Sequence, residues 1–193
     1  MGITFLQNSP NPQEGIRYVF DSNVWLPILG LENKESLSEH YKLYFSKVFK
    51  LSDSRILLCP IQISELVNRL LRYHGYKQFV KADKKGDFND YYKRVYRESS
   101  GYKSQHQSIL DDIESYRSHI VLCDVKVGNL DEVLDYNPSK LDFNDHYLYL
   151  LAKTHGATII TDDRDFSSLD VPVGTFNKRL YQHYKDTIVP KAR

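Results

Sequence analysis

The stretch ATIITDDRDF, residues 157–166, decides how the rest of the chain is interpreted. Its first half is a continuous apolar and β-branched run, which predicts a buried strand, and its second half is a polar cluster typical of a turn. The run YVF at residues 18–20 ends in the same way, in the polar triplet DSN at residues 21–23. Because both strands stop at carboxylates, we expect these acids at one edge of a sheet.

Other segments extend this pattern along the chain. Short apolar runs predict three further strands, at Ile56–Cys59, His119–Cys123 and Val171–Phe176. The segments between them have apolar residues every three or four positions and predict helices at Leu26–Leu31, Glu35–Leu51, Ile61–Tyr73, Ser104–Ser118, Leu141–His155 and Lys178–Asp186. Strands that are continuous apolar runs and alternate with helices favour a parallel sheet covered on both faces, so the predicted fold class is α/β.

The length and composition predict one folded domain over residues 1–193. A chain of 193 residues with 41% hydrophobic and 26% charged residues lies in the range of globular proteins. Its longest uninterrupted apolar stretch, Ile56–Ile61, is far shorter than the roughly 20 residues that a membrane span needs. The cysteines, Cys59 and Cys123, lack the spacing of metal ligands. We therefore expect a cytoplasmic protein without a membrane segment.

The charge is distributed unevenly, although the net charge is only +1. Residues 69–103 carry ten Lys and Arg against four Asp and Glu, whereas residues 130–170 carry three against nine. Most of the basic excess falls in a helical insertion that we predict at residues 73–118, where tyrosines alternate with Lys and Arg. Such a mixture suits a surface that holds phosphates and stacks unpaired bases. The alternative is a solvated helical hairpin whose tyrosines pack on the domain.

Acidic residues follow the predicted strand ends and helix starts, where parallel sheets bind ligands. They are Asp21, Asp162 and Asp163 after strands, and Glu65, Asp142 and Asp145 at helix starts. Two unit charges about 4 Å apart repel by about 4 kcal/mol at an effective dielectric near 20, so a group of carboxylates needs protons or a cation. Oxygen ligands without His or Cys suit Mg²⁺ or Mn²⁺, ions that promote phosphodiester hydrolysis.

Each acid taken alone also has a local explanation. Asp142 has the position of a helix N-cap, and Asp145 is favourably placed against the helix dipole. Glu65 is equally explained as a solvated acid in the first turn of its helix, and the acids at residues 162–165 as a turn cluster. The shared position of these residues at strand ends and helix starts favours a common site.

Taken in order, four segments resemble the PIN domain family. They are VFDSNV at residues 19–24, ISEL at 63–66, ND at 144–145 running on to LLA at 150–152, and IITDDRDF at 159–166. The resemblance covers roughly residues 17–170 and implies a three-layer α/β/α sandwich with a central, mostly parallel sheet. It further implies a Mg²⁺- or Mn²⁺-dependent endoribonuclease, often the VapC-like toxin that is paired with an antitoxin protein. A homodimer is a common assembly in that family.

By position, the resemblance implies catalytic and metal-binding roles for four acids. They are Asp21, Glu65, Asp145 and Asp163. Asp142 and Asp162 flank matched positions as additional acids, so the resemblance leaves open which member of each pair binds metal. Asp163 is preferred to Asp162 because it is the second residue after Thr161.

Substrate contacts are predicted from neighbouring residues. Ser22 and Asn23 match the small polar residues that follow the first aspartate of the family. Arg69 and Arg72 follow Glu65 on one helical stripe and are expected to face the RNA. The alternative function is a catalytically silent PIN-like module that binds RNA or protein, although the presence of all four matched acids counts against a degraded site.

Overall fold

The structure is a computed structural model that describes residues 2–9, 11–31, 37–83, 85–126, 128 and 130–187. Within these ranges there are six strands: β1 (Ile3–Phe5), β2 (Arg17–Phe20), β3 (Arg55–Leu58), β4 (Ile120–Leu122), β5 (Thr158–Ile160) and β6 (Val173–Thr175). They form one sheet in the order β1-β6-β5-β2-β3-β4, and every pair of neighbours is parallel. The predicted sheet is therefore confirmed and is parallel throughout the described strands.

Helices connect the strands. The α-helices of the described ranges are α1 (Ser22–Ile28), α2 (Leu37–Phe49), α3 (Pro60–Lys81), α4 (Phe88–Tyr91), α5 (Ser100–Glu114), α6 (Leu130–Leu134), α7 (Phe143–His155) and α8 (Lys178–Thr187). A π-helical turn (Tyr92–Tyr96) follows α4, and a 3₁₀ helix (Arg164–Ser168) follows β5. None of the helices in these ranges has the length and apolar character needed to cross a membrane.

The side chains of each central strand alternate between two helical layers. Tyr18 and Phe20 of β2 pack in a core with residues of α1, α2, α3 and α5, whereas Val19 packs with residues of α7 and the 3₁₀ helix. In β5, Ile160 packs in the same core as Tyr18 and Phe20, and Ile159 packs in the same core as Val19. Because successive side chains of a strand point to opposite faces, continuous apolar strands bury both faces of the sheet. The result is the predicted three-layer α/β/α sandwich.

The strand order reverses between β2 and β5. From β2 the chain continues to β3 and β4 on one side, and it then returns to β5 and β6 on the other. Open α/β sheets bind ligands in such a crevice, beyond the carboxyl ends of the strands. Asp21 directly follows β2, and Asp162 and Asp163 follow β5 after one intervening residue. The topology therefore places these three acids beside the crevice.

One strand of the sheet, β1, is not predicted by the sequence. Its three residues pair with β6, and the next residue, Leu6, donates its N–H to the carbonyl of Thr175 at 2.8 Å. A three-residue segment followed by polar turn residues has little strand signal of its own. Its pairing with β6 makes it a strand.

The helix boundaries differ from the predicted ones where tertiary contacts intervene. The helix expected to end at Tyr73 continues to Lys81. Gly75 lies inside it, and a Cβ atom there would be 2.8 Å from Cδ1 of Tyr96, so glycine allows the π-helical turn to pack on α3. The helix expected to begin at Leu26 begins at Ser22. Residues 35–36 of the second predicted helix, and Lys84 of the predicted insertion, lie outside the described residues.

Residues 73–118 are largely helical in their described part. They include the second half of α3, then α4, the π-helical turn and α5, and α5 packs along α3. Tyr92, Tyr96 and Tyr102 pack against one another, with ring centroids 5.5–6.4 Å apart. These three tyrosines are packed, as expected for the alternative of a helical hairpin whose tyrosines pack on the domain. Tyr76, in contrast, is 53% exposed.

Candidate active site

Asp21 lies at the centre of the candidate site. It directly follows β2 and is the N-cap residue of α1, and only 3% of its surface is exposed. Its backbone N–H donates to the carbonyl of Ile160 at 2.9 Å, which ties it to the end of β5. Its Oδ2 accepts hydrogen bonds from the Thr161 hydroxyl at 2.7 Å and from the Asn23 amide at 3.4 Å. These contacts fix the direction in which the carboxylate points.

Thr161 connects the acids of the two strand ends. The same Oγ1 that donates to Asp21 accepts the N–H of Asp163 at 2.9 Å. The carbonyl of Thr161 accepts the buried hydroxyl of Tyr41, on α2, at 2.8 Å. Sequence reasoning used Thr161 only to count positions and assigned it no role. The feature of the sequence that could have indicated a role for Thr161 is its position, as a hydroxyl residue between an apolar strand and a pair of aspartates.

The turn after β5 holds Asp162 and Asp163 in different ways. Asp163 is the N-cap of the 3₁₀ helix, where its Oδ1 accepts the N–H of Asp165 at 3.0 Å. Asp162 is held through its backbone, because its carbonyl accepts the side-chain amide of Asn177 at 2.7 Å. Both aspartates are half-buried. Asp165 takes part in this turn through its backbone N–H.

Asp145 enters the site from α7. Asp142 is the N-cap of this helix, and its Oδ1 accepts the N–H of Asp145 at 2.9 Å, so the capping interpretation of Asp142 is confirmed. At the other end of the helix, Gly156 adopts the left-handed conformation (φ 61°) that ends it, as the sequence predicts. The N-cap places the half-buried Asp145 in the first turn of α7, facing the strand ends.

Burial and repulsion between the acids raise the pKa values of Asp21 and Asp145. Burial raises the pKa of Asp21 to about 7; the hydrogen bond from Thr161 opposes this shift, and repulsion from Asp163 adds to it. Burial also raises the pKa of Asp145 to about 8, with further repulsion from Asp21 and Asp163. Three elements of the fold thus deliver Asp21, Asp145 and Asp163 close enough to interact electrostatically. Such a group attracts either protons or a cation.

Glu65, on α3, is hydrogen-bonded to neighbouring elements instead. Its Oε2 accepts the Ser22 hydroxyl at 2.9 Å and the Asn144 side-chain amide at 3.3 Å. Its Oε1 forms an ion pair with Nη1 of Arg69 at 3.0 Å, and the same Nη1 donates to Oδ1 of Asn23 at 3.3 Å. The network joins the first turns of α1 and α7 to α3. Sequence reasoning assigned no role to Asn144, whose only signal was its place beside Asp145.

The two arginines predicted to bind substrate are engaged within the chain. Arg69 is paired with the acid one helical turn before it, as described above. Arg72 donates to Oδ1 of Asn89 at 2.8 Å, and its guanidinium lies 5.4 Å from the ring centre of Phe88 and 5.2 Å from that of Tyr92. Both arginines are nevertheless exposed to solvent on one side of α3.

The chemistry of the acids fits a hard divalent cation. Mg²⁺ is usually bound by one or two carboxylates together with water and substrate phosphates, and does not need a closed protein cage. In the described part of the chain, no three His, Cys, Asp or Glu side chains are already arranged so that they could hold a metal ion. A cation beside Asp21, Asp145 and Asp163 would relieve the repulsion that adds to burial in raising the pKa values of Asp21 and Asp145. These residues fit an open, partly hydrated site.

A solved structure and a protein family model are similar to the chain. No curated protein matches the chain. The crystal structure of PAE2754 from Pyrobaculum aerophilum is similar over 89% of this chain and 91% of that one, with 16% sequence identity and a TM-score of 0.44. The PIN domain model matches residues 18–172, which contain the acids described above. This match spans about four-fifths of the 193 residues, and the chain therefore belongs to the PIN domain family.

Proposed function

We propose that the protein is a metal-dependent endoribonuclease that hydrolyses phosphodiester bonds of RNA with Mg²⁺ or Mn²⁺ as its cofactor. The observation that carries the proposal is the mutual repulsion of Asp21, Asp145 and Asp163 at the crevice between β2 and β5. Within the described residues, the ion pairs do not include any of these three acids. A divalent cation would relieve this repulsion and favour the charged forms of the acids, and membership of the PIN family supports a nuclease.

Each acid has a distinct part in this proposal. Asp21, Asp145 and Asp163 hold the cation, Glu65 completes the set, and Asp142 and Asp162 add negative charge at the rim. Bound Mg²⁺ or Mn²⁺ supplies a lowered pKa for the attacking water and stabilises the departing oxygen. Thr161 holds the Asp21 carboxylate in one orientation through its hydrogen bond to Oδ2. Ser22 and Asn23 line the substrate side next to Asp21.

RNA as the substrate is supported by the basic segment at residues 69–103. Its exposed cations lie on α3, between α3 and α4, in and next to the π-helical turn, and on α5: Arg69, Arg72, Lys77, Lys81, Lys85, Lys93, Arg94, Arg97 and Lys103. Contacts with backbone phosphates supply most of the affinity of a nucleic-acid-binding protein. This basic surface would attract the polyanionic RNA, which the acids alone would repel.

The proposal extends to a cytoplasmic toxin that an antitoxin protein inhibits, and to a homodimer. These parts rest on the resemblance of the sequence to VapC-like toxins. A basic side chain of an antitoxin inserted among Asp21, Asp145 and Asp163 would compensate their charge and exclude the cation.

A catalytically silent PIN-like module is the second candidate. The observation in its favour is the pairing of Glu65 with Arg69, which occupies one of the four matched acids. Such a module would bind RNA or protein through the basic segment and would not cleave RNA.

The test is cleavage of single-stranded and hairpin RNAs by the wild type, by Asp21→Asn and by Asp53→Asn, with Mn²⁺ or with a chelator. Asp53 is exposed on the turn before β3 and is the matched control for the same substitution. We expect cleavage by the wild type and Asp53→Asn with Mn²⁺, and none with the chelator or with Asp21→Asn.

Cleavage that persists in Asp21→Asn, or in chelator, would contradict the nuclease proposal and indicate another site or a contaminant. RNA binding without cleavage of any RNA offered would favour the silent module. A melting curve for each variant establishes that the fold is intact.

A further inference from the structure

We infer that Arg69 competes with the divalent cation for the carboxylate of Glu65, and so couples metal binding to RNA binding. The inference rests on the proposed function and adds a regulatory device to the same site. It starts from an asymmetry among the four matched acids: Asp21, Asp145 and Asp163 repel one another, whereas Glu65 is paired with a cation of its own chain.

Both carboxylate oxygens of Glu65 already accept hydrogen bonds, so neither is open to a metal ion. Its Oε2 accepts two donors, the Ser22 hydroxyl and the Asn144 amide, which together fix the carboxyl group at the site. Its Oε1 is the oxygen that Arg69 occupies, at 3.0 Å. A divalent cation that reaches Oε1 would meet the guanidinium there. Because like charges repel, the two cannot both bind closely to one oxygen.

Arg69 is able to leave this position at small cost. Its side chain is 46% exposed, and an exposed ion pair between residues one turn apart contributes little to stability. Its other contact, to Oδ1 of Asn23 at 3.3 Å, lies beside Asp21. An arginine released from Glu65 would therefore remain at the edge of the crevice, where its guanidinium is free to bind a phosphate.

Arg72 offers a matched contrast on the same helix. It carries the same charge and is also exposed, but its guanidinium is held by Asn89 and lies against the rings of Phe88 and Tyr92. It has no ion pair with Glu65 or the other matched acids among the described residues. Substitution of Arg72 thus removes one positive charge from α3 without freeing Glu65.

The experiment is calorimetric titration of the RNA-free protein with Mn²⁺, at one pH and salt concentration. The proteins are the wild type, Arg69→Gln, Arg72→Gln, Glu65→Gln and the double variant Glu65→Gln/Arg69→Gln. We expect Arg69→Gln to bind Mn²⁺ about fivefold more tightly than the wild type, the factor expected from the loss of one exposed ion pair. Arg72→Gln should differ from the wild type by less than about twofold.

The double variant separates competition from a general effect of charge. If Arg69 acts through Glu65, Arg69→Gln should tighten binding far less when residue 65 is already glutamine. Unchanged or weaker Mn²⁺ binding by Arg69→Gln, equal gains from Arg69→Gln and Arg72→Gln, or an undiminished gain in the Glu65→Gln background would each overturn the inference. Absence of Mn²⁺ binding in every protein would overturn the proposed metal dependence itself.

A second titration tests the coupling to RNA. A single-stranded oligonucleotide is titrated into the wild type and into Arg69→Gln. Ca²⁺ replaces Mn²⁺, so that binding is measured without cleavage of the RNA. We expect Ca²⁺ to increase RNA affinity more in the wild type than in Arg69→Gln, because only the wild type gains a freed guanidinium. An equal increase in both proteins would show that Arg69 does not pass from Glu65 to the phosphate.

Discussion

The hydroxyl of Thr161 donates a hydrogen bond to Oδ2 of Asp21 across 2.7 Å, although the two residues are 140 positions apart in the chain. The same hydroxyl oxygen accepts the N–H of Asp163, so one small side chain joins the acids at the ends of β2 and β5. The hydrogen bond to Asp21 lowers the pKa of a carboxyl group that burial raises. Thr161 therefore favours the charged form that a metal ligand requires.

We predict that Thr161→Val weakens the site while the fold remains. Valine has nearly the shape of threonine but donates no hydrogen bond, so the pKa of Asp21 should rise further and the Asp163 N–H should lose its acceptor. Leaving such buried groups without partners costs about 1–3 kcal/mol of the free energy of unfolding. The pH profile of Mn²⁺ binding should shift to higher pH.

Thr158→Val is the control for this change, because Thr158 begins β5, the strand that Thr161 follows, and its side chain does not bond to Asp21 among the hydrogen bonds of the described residues. An unshifted pH profile in Thr161→Val, or an equal shift in both variants, would contradict the prediction.

The metal-free protein should become less stable as the pH rises. Asp21 and Asp145 have pKa values of about 7 and about 8 when folded, against 3.8 for the carboxyl group of an unperturbed aspartate. Groups with raised pKa values bind more protons in the folded state, so their contribution is complete below about pH 4 and is lost as the pH rises through those folded values. Urea unfolding in chelator at pH 5.5 and 8.5 measures the loss, which we expect to reach a few kcal/mol at most.

Substitution identifies the groups responsible for that pH dependence. The double variant Asp21→Asn/Asp145→Asn should lose much less stability than the wild type between the two pH values, and Asp53→Asn should behave as the wild type does. Mn²⁺ should restore stability to the wild type at pH 8.5, because it binds the folded state only. An equal pH dependence in the wild type and the double variant would contradict the prediction.

Gly75→Ala should destabilise the packing of the π-helical turn on α3. A Cβ atom at position 75 would lie 2.8 Å from Cδ1 of Tyr96 and 2.9 Å from Cδ2 of Tyr92, both on buried rings. Overpacking of this kind typically costs about 1–3 kcal/mol, more than alanine gains as a helix former. Thermal or urea unfolding measures the difference.

Gly101→Ala is the matched control for Gly75→Ala. Its Cβ would lie 3.3 Å from the side-chain amide nitrogen of Gln78, and this end of a flexible side chain is able to move away. We expect its stability to lie within about 0.5 kcal/mol of the wild type. If both variants were equally stable, the close approach at Gly75 would not matter for folding.

The basic surface should contribute salt-dependent affinity for RNA. Each phosphate contact with a single strand contributes about 0.7 to the slope of log affinity against log salt. Replacing the exposed residues Lys93, Arg94 and Arg97 together by Gln should therefore reduce the slope by up to about 2 and weaken binding. Filter binding or anisotropy over a salt series measures both quantities.

A control for charge alone is the replacement of three lysines of α2 and the turn after it, Lys42, Lys47 and Lys50, by Gln. These residues lie outside the basic segment, so the slope should change little. A slope that is unchanged by the substitutions at residues 93–97, or equally reduced by both sets, would place the RNA elsewhere.

Local sequence signals were sufficient for much of the architecture. The apolar runs around β2, β3, β4, β5 and β6 predicted those strands, because burial on both sheet faces leaves a continuous pattern. The cap at Asp142 and the helix end at Gly156 were also readable, since each depends on hydrogen bonds or backbone conformation within a few residues. The same patterns predicted that acids follow the ends of strands.

Tertiary contacts decided the remaining features. The sequence does not predict β1, because its strand conformation depends on pairing with β6. The helix α3 passes its predicted end because the rings of Tyr92 and Tyr96 pack on Gly75. The bonds from Asn144 to Glu65 and from Thr161 to Asp21 join residues 79 and 140 positions apart.

The sequence by itself thus determined an α/β domain with acids at the ends of its strands and helices, because burial periodicity and capping act over a few neighbouring residues. Only the tertiary structure decided which acids repel one another, whereas the arginine that pairs with Glu65 lies one turn further along the same helix. The approach of Asp21, Asp145 and Asp163 depends on strand order and helix packing, which follow from burying the whole core and leave no mark within any single segment.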